Sequence, residues 1–173
     1  NNVIAICENM GEEPLRNTAL GEAYYFRAYL YYCLLTRWGG VPIIAKNTLE
    51  KLPRNSSAEV WAFIEKNLDD AERLLGESSS YYYVSKDAVT ALKARVYLDQ
   101  DKAPEAAEAA DALINSGKYK LDAFEKIFRK QANTEIIFAF ENRSEESSNN
   151  ISDLFYSYAH PNRGQGNYRV TQN

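Results

Sequence analysis

The chain has 173 residues, 45% of them hydrophobic, with 20 Lys+Arg against 24 Asp+Glu for a formal net charge of −4. That length and apolar content suffice for one globular domain with a sizeable core rather than a disordered chain, and the acidic balance offers no broad positive field for nucleic acid. A single histidine, His160, and two cysteines, Cys7 and Cys33, form no metal-ligand spacing, so neither metal nor cofactor is expected, and no run approaches the ~20 apolar residues of a membrane span.

From the start, Val3, Ile4 and Ile6 read as the end of a buried helix. The segment before Cys7 lacks the basic region, long apolar run and small residues of a lipoprotein signal. Pairing of Cys7 with Cys33 depends on geometry that only the fold sets, and free thiols are expected. The absence of a start methionine and the polar stop at Thr171-Gln172-Asn173 suggest a segment of a longer polypeptide. Residues 18 to 38 read as one long helix, with Thr18 able to cap it and Gly39-Gly40 followed by Pro42 to end it. Leu20, Tyr24, Ala28, Tyr31 and Leu35 recur at three- and four-residue spacing and define an apolar face. Because Tyr24, Tyr25, Phe26, Tyr29, Tyr31 and Tyr32 surround this helix, it is expected to lie between neighbours, its rings in the core and hydroxyls at the rim.

Val41-Pro42-Ile43-Ile44 predicts an extended segment, and a polar linker runs through Pro53. Ser56-Ser57-Ala58-Glu59 matches a capping box, and Val60, Ile64, Leu68, Ala71 and Leu75 trace an apolar stripe that Gly76 is placed to end. A tyrosine-rich loop comes next. Ser85 can cap a third helix to about Asp99, with Val89, Leu92, Val96, Ala91 and Ala94 facing inward. Pro104 supplies a first helical position for a fourth, Glu105 to about Asn115, stopped by Gly117. The turn between them is short, so the two must be antiparallel, and Ala106, Ala107, Ala109, Ala110 and Ala112 let their axes approach.

Ala94, Tyr97, Ala106, Ala110 and Leu113 fall at the small and aromatic positions of a tetratricopeptide hairpin. Residues 20–38 with 57–75 form a second pair, as a stack of hairpins requires. The fold class is therefore mainly α: tetratricopeptide-like stacked hairpins over 18–117, with a short strand and irregular aromatic-rich loops. Beyond Lys118 come a short helix carrying Phe124, Ile127 and Phe128, a strand at Glu135–Glu141, a polar loop over 142–153, and irregular sequence from Leu154 to Asn173.

Little here supports catalysis. His160 is the only imidazole, and no Gly-x-Ser-x-Gly elbow frames Ser152 or Ser157 near it. Asp69 and Asp70 diverge on a helix, and Glu145 with Glu146 sits in a solvated run, so neither pair suits glycoside hydrolysis. Gly164-Gln165-Gly166 lacks the third glycine of a phosphate loop. What remains are loop aromatics: Tyr81-Tyr82-Tyr83, Trp38 and the Phe155–Tyr168 set, with Asn162, Arg163, Asn167 and Arg169 nearby. Flat rings beside hydrogen-bonding groups suit a sugar, although the same rings could simply pack loops onto the helical body. The candidate ligand-binding residues are Tyr81, Tyr82, Tyr156, Tyr158, Asn167 and Tyr168. Tyr29 and Tyr32 are candidates for a protein interface should they form an exposed patch.

Residues 21–42 read GEAYYFRAYLYYCLLTRWGGVP. The Glu22-Ala23 pair, the Phe26-Arg27-Ala28 run, the aromatic helix and Gly39-Gly40-Val41-Pro42 closely resemble the signature of SusD/RagB proteins. In the family's order come Arg54–Val60, Leu68–Leu75, Ala88–Leu98, Ala106–Ile114, Ser116–Tyr119 and Asn133–Phe138, so the resemblance covers about residues 18 to 140. It implies one SusD-like helical domain over 1–173 that is partial, with 118–173 leading into a further C-terminal part. It also implies a surface-exposed lipoprotein of the outer membrane, anchored through a cysteine outside this segment, since Cys7 does not match the anchor. Such proteins bind oligosaccharides or other nutrients without catalysis and sit over a SusC-like TonB-dependent transporter. Their helical hairpins are the expected docking face, and none of the family's ligand motifs transfers residue by residue. The alternative is a tetratricopeptide scaffold that binds peptides and no carbohydrate.

Overall fold

A computed structural model describes residues 1–127 and 133–141. Its described helices are α1 (Asn2–Glu8), α2 (Pro14–Trp38), α3 (Ser57–Leu74), α4 (Lys86–Leu98), α5 (Ala103–Asn115) and α6 (Phe124–Ile127). The chain divides into two compact units, Asn1–Ala139 and Phe140–Asn173. The first unit is an array of helical hairpins in which α2 packs on α3, α3 on α4, and α4 on α5, the mainly α, tetratricopeptide-like architecture that the periodicity predicts.

The helix ends follow local chemistry. Helix α2 begins a turn before the expected Thr18, because Pro14 follows an extended Glu13 and its fixed φ suits the first turn. Thr18 is no cap: its hydroxyl donates to the Pro14 carbonyl at 3.0 Å. The other end matches expectation, with Gly39 at φ +70° and its N–H on the Leu35 carbonyl at 2.8 Å, a backbone state that favours glycine. Helix α3 carries the complete capping box: Glu59 N–H donates to Ser56 Oγ at 3.3 Å, and Ser56 N–H donates to the Glu59 carboxylate at 2.8 Å. The hydrogen bonds from the Ser56 side chain and backbone hold the Glu59 carboxyl below the usual range. Ser85 caps α4 through Ala88 N–H at 3.2 Å. Helix α5 starts at Ala103, one residue before Pro104.

Every residue of the two expected stripes is buried: Leu20, Tyr24, Ala28, Tyr31 and Leu35 on α2, and Val60, Ile64, Leu68, Ala71 and Leu75 on and after α3. Tyr31 meets Phe63 edge-on with ring centroids 5.0 Å apart, a geometry that aligns positive ring edge with negative face. Between the same helices Arg27 donates to Asn67 Oδ1 at 2.7 Å, and the buried Asn67 donates to the Phe63 carbonyl at 2.6 Å. The Arg27 guanidinium lies 5.3 Å from the Tyr24 ring and 5.1 Å from the Phe63 ring. Burial lowers its pKa against the opposing pull of Tyr24 and Glu8.

The Gly39-Gly40-Val41-Pro42 signature proves to be a clasp between the end of α2 and the segment before α3. A Cβ on Gly40 would stand 2.1 Å from the Asn55 carbonyl oxygen, so only glycine allows the two backbones to meet. Asn55 N–H donates to the Val41 carbonyl at 3.3 Å, Ile43 N–H donates to Asn55 Oδ1 at 2.9 Å, and Arg54 donates to the carbonyls of Trp38 and Gly40. The Arg54 bond to Trp38 satisfies one of the carbonyls that a helix terminus leaves unpaired.

Two expectations fail. No strand forms among the described residues at 133–141, because that backbone finds loop partners instead of a ladder. Glu135 and Ile136 N–H donate to Asn133 Oδ1 at 2.7 and 3.2 Å, and Ala139 N–H donates to the Tyr81 carbonyl at 2.9 Å. The apolar content that suggested a strand is used for packing, Ile137 and Phe138 lying against the core. Helix α1 is covered on one face only: Ile4 and Cys7 are buried, whereas Val3 and Ile6 are exposed. Cys7 and Cys33 are both free thiols.

Candidate functional site

The residues between α3 and α4 form a loop whose shape comes from short-range hydroxyl bonds. Ser78 Oγ donates to the Ser80 carbonyl at 2.8 Å, Tyr82 N–H donates to Ser80 Oγ at 3.3 Å, and Lys86 N–H closes the loop on the Gly76 carbonyl at 2.8 Å. Serines serve here because their hydroxyls substitute for the backbone partners that a turn removes. The closure brings the rings of Tyr81 and Tyr82 to a centroid separation of 4.4 Å at 53°, with their hydroxyls 3.3 Å apart.

Tyr81 edges a cleft of about 240 Å³ whose wall includes Ser80, Ser85, Asp87, Lys118, Tyr119 and Ile137. Lys118 Nζ bridges Glu77 at 2.7 Å and Asp87 at 3.0 Å, and Tyr119 donates to the same Asp87 oxygen at 2.9 Å. Burial first, then the bond to Asp87, pushes the Tyr119 phenol up to about 12. The hydrogen bonds to Glu77 and Asp87 hold Lys118 above the usual lysine range. At neutral pH the wall therefore presents an uncharged phenol, serine hydroxyls and a carboxylate–ammonium–carboxylate bridge that keeps one net negative charge. Both carboxylates are committed to Lys118. The arrangement suits reversible binding of an uncharged, hydroxyl-rich molecule. Among the described residues no group of His, Cys, Asp and Glu could hold a metal ion.

Tyr81 and Tyr82 thus share one loop, as their adjacency requires. Tyr156, Tyr158, Asn167 and Tyr168 lie outside the described residues. Tyr29 and Tyr32 are half-buried against the core; the Tyr32 hydroxyl donates to Asp99 at 2.7 Å, and its ring centroid is 6.2 Å from that of Trp61. The exposed large apolar residues of α2 are instead Leu15 in its first turn and Leu30 (58%), Leu34 (38%) and Trp38 (59%) further along. Sequence reasoning missed Asp87, Lys118 and Tyr119 as cleft residues. Only their folded positions join them, since Asp87 stands in the first turn of α4 while Lys118 and Tyr119 follow the end of α5.

Fold and cleft together define a scaffold of stacked helical hairpins that presents a polar, aromatic-edged loop. Residues 5–98 match the pattern of a SusD-like family described as starch-binding and associating with the outer membrane, and the chain belongs to that family. A SusD-like protein of Formosa agariphila is 33% identical over 171 residues, 94% of this chain and 34% of its own. Among solved structures, NanU of Bacteroides fragilis superposes with a TM-score of 0.72 at 30% identity, over 82% of this chain and 32% of its own. A structure solved with a xylogluco-oligosaccharide superposes with a TM-score of 0.77 at 26% identity, over 91% of this chain and 36% of its own. The chain spans about a third of the length of these relatives.

Proposed function

We propose that this chain is part of a non-catalytic nutrient-binding protein that captures oligosaccharide at the outer membrane and delivers it to a SusC-like TonB-dependent channel. Lipid anchoring at the cell surface, through a residue outside this sequence, belongs to the same proposal. The observation that carries it is Tyr81, its ring against that of Tyr82, at the edge of a cleft walled by hydroxyls and a carboxylate–ammonium–carboxylate bridge. A pyranose ring offers one apolar face for an aromatic ring and an equatorial rim of hydroxyls for Ser80 and Tyr119. The xylogluco-oligosaccharide bound by one structural relative supports carbohydrate as the ligand class. Tyr156, Tyr158, Asn167 and Tyr168 are proposed as further ligand contacts, and Tyr29 with Tyr32 as contributors to a protein interface.

Calorimetric titration of the full-length protein with xylogluco-, laminari- and malto-oligosaccharides tests the reading. Binding of one of them, weakened about tenfold by Tyr81→Ala, is expected, since loss of one ring contact is worth roughly 0.5–1.5 kcal/mol beyond its area. Silence across the panel, or unchanged affinity in both Tyr81→Ala and Tyr82→Ala, would overturn it. A peptide-binding scaffold is the second reading, favoured by the exposed Leu30–Leu34–Trp38 stripe, whose four-residue spacing places these side chains on one side of α2. It predicts that a Leu34→Asp, Trp38→Asp variant loses a protein partner while carbohydrate affinity stays unchanged.

A further inference from the structure

The hydrogen bonds in the wall of the Tyr81 cleft run in one direction, and Asp87 sets it. Asp87 stands in the first turn of α4 with its side chain 22% exposed. One of its oxygens, Oδ2, accepts both the Tyr119 hydroxyl at 2.9 Å and the Lys118 ammonium at 3.0 Å. A phenol has a single proton to give, and Tyr119 gives it to Asp87. Towards anything that enters the cleft, the Tyr119 oxygen is therefore an acceptor. Asp87 Oδ1 and Glu77 Oε2 make no hydrogen bond among the described residues and are acceptors as well. Donors are fewer. They are the hydroxyl proton of Ser80, whose oxygen already accepts Tyr82 N–H at 3.3 Å, and the Lys118 N–H that neither carboxylate takes.

Charge points the same way. Glu77, Asp87 and Lys118 together carry one net negative charge. Lys118 Nζ already lies 2.7 Å from one carboxylate and 3.0 Å from the other, so a carboxylate arriving from solution would be the third anion around one cation. Such a like-charge arrangement opposes binding. A sugar hydroxyl carries no such penalty, and its proton matches the acceptors of the wall. A site that sets unpaired charge against a competitor gains specificity without holding its own ligand more tightly.

We propose that Asp87 is a specificity-determining residue of the cleft: by taking the Tyr119 proton and holding Lys118 beside Glu77, it selects neutral saccharides that donate hydroxyl protons and excludes saccharides that carry carboxylates. This rests on the carbohydrate reading above and names the class of glycan that the same site takes.

The test is calorimetric titration of the full-length protein with xylogluco-, laminari- and malto-oligosaccharides, each as the neutral chain and with its C6 hydroxymethyl groups oxidised to carboxylates. Wild type is expected to bind a neutral chain and to bind its oxidised form at least about tenfold more weakly. Glu77→Gln, at a side chain 81% exposed, should narrow that gap, and Asp87→Asn with Glu77→Gln, which leaves the bridge positive, should close it. Raised salt should narrow it in wild type, because screening weakens the repulsion. Tyr119→Phe removes the acceptor without altering charge, so it should weaken the neutral chain severalfold and leave the gap in place.

A readout without ligand checks the Asp87–Tyr119 link. The Tyr119 phenol, which burial and then Asp87 push up to about 12, should titrate lower in Asp87→Asn when followed by NMR at its labelled Cζ. An unchanged Tyr119 titration, an oxidised chain that binds wild type as tightly as the neutral one, or a gap that persists in the double variant would overturn the inference. Binding of oxidised chains alone would sink it while leaving carbohydrate capture intact, and silence to every chain would defeat both.

Discussion

The two helical hairpins share a topology and differ in what they bury. In the α2–α3 pair both helices contribute bulky side chains to the interface, and Val60, Ile64, Leu68 and Asn67 are almost wholly inaccessible. In the α4–α5 pair, α4 buries Ala88, Val89, Leu92 and Val96, but α5 contributes only Ala106, and its Ile114 stands exposed. Alanines allow helices to approach closely, yet each removes little apolar area from water, and hydrophobic stabilisation scales with that area at roughly 25 cal/mol per Å². Equivalent hairpins in a stack are thus unequal in energy: the inner pair carries the core, and α5 is an edge.

Truncating the inner core should separate the two hairpins most clearly. Ile64→Ala is expected to reduce stability by about 3 kcal/mol, within the range for buried aliphatic deletions, and Ala106→Gly by about 1 kcal/mol through helix propensity. Urea denaturation measures both, and similar losses would remove the distinction. A smaller contrast lies in the caps. Ser85 is buried, so Ser85→Ala should cost about 1–2 kcal/mol, whereas the exposed Ser56 of the capping box should cost about 0.5–1 kcal/mol when replaced by Ala.

The smallest effect concerns the seam between the pairs. Lys93 of α4 bridges Asp69 and Glu72 of α3, each at 2.6 Å, with its own side chain 13% exposed. Burial lowers its pKa, but the hydrogen bonds to the two carboxylates outweigh that and leave it raised. A lysine whose folded pKa exceeds the unfolded value stabilises fully below the unfolded value, about 10.4, and loses this as pH rises through the folded one. Lys93→Met should therefore be less stable than wild type by under about 1 kcal/mol at neutral pH. The gap should close above pH ~10.4; a constant gap across an alkaline denaturation series would show that packing of the lysine stem, not its charge, joins the hairpins.

Much of the fold was legible because the signals are local. The Ser56–Glu59 box, the Ser85 cap, Gly39 and the two apolar stripes each act within a turn or two of helix, and each stands where its spacing placed it. Less of the site was legible. Tyr81 and Tyr82 stand out as loop aromatics, but Asp87, Lys118 and Tyr119 look like ordinary polar residues until α4 and α5 fold back and bring them to one wall. The glycines of the segment that resembles the family were readable as a pattern and not as a device: Gly21 is needed only because Leu75 lies against it, and Gly40 only because Asn55 does.

Sequence alone determined the helices, their stacking class and the family, because period and capping chemistry are properties of neighbouring residues. Tertiary structure decided that Glu135–Glu141 forms no strand, since a strand exists only where a partner offers a ladder and here Asn133 and Tyr81 take the hydrogen bonds. It also decided that α1 buries one face and that Leu75 lies against Gly21. Those contacts join residues far apart in the chain, and no local periodicity encodes which distant group will arrive.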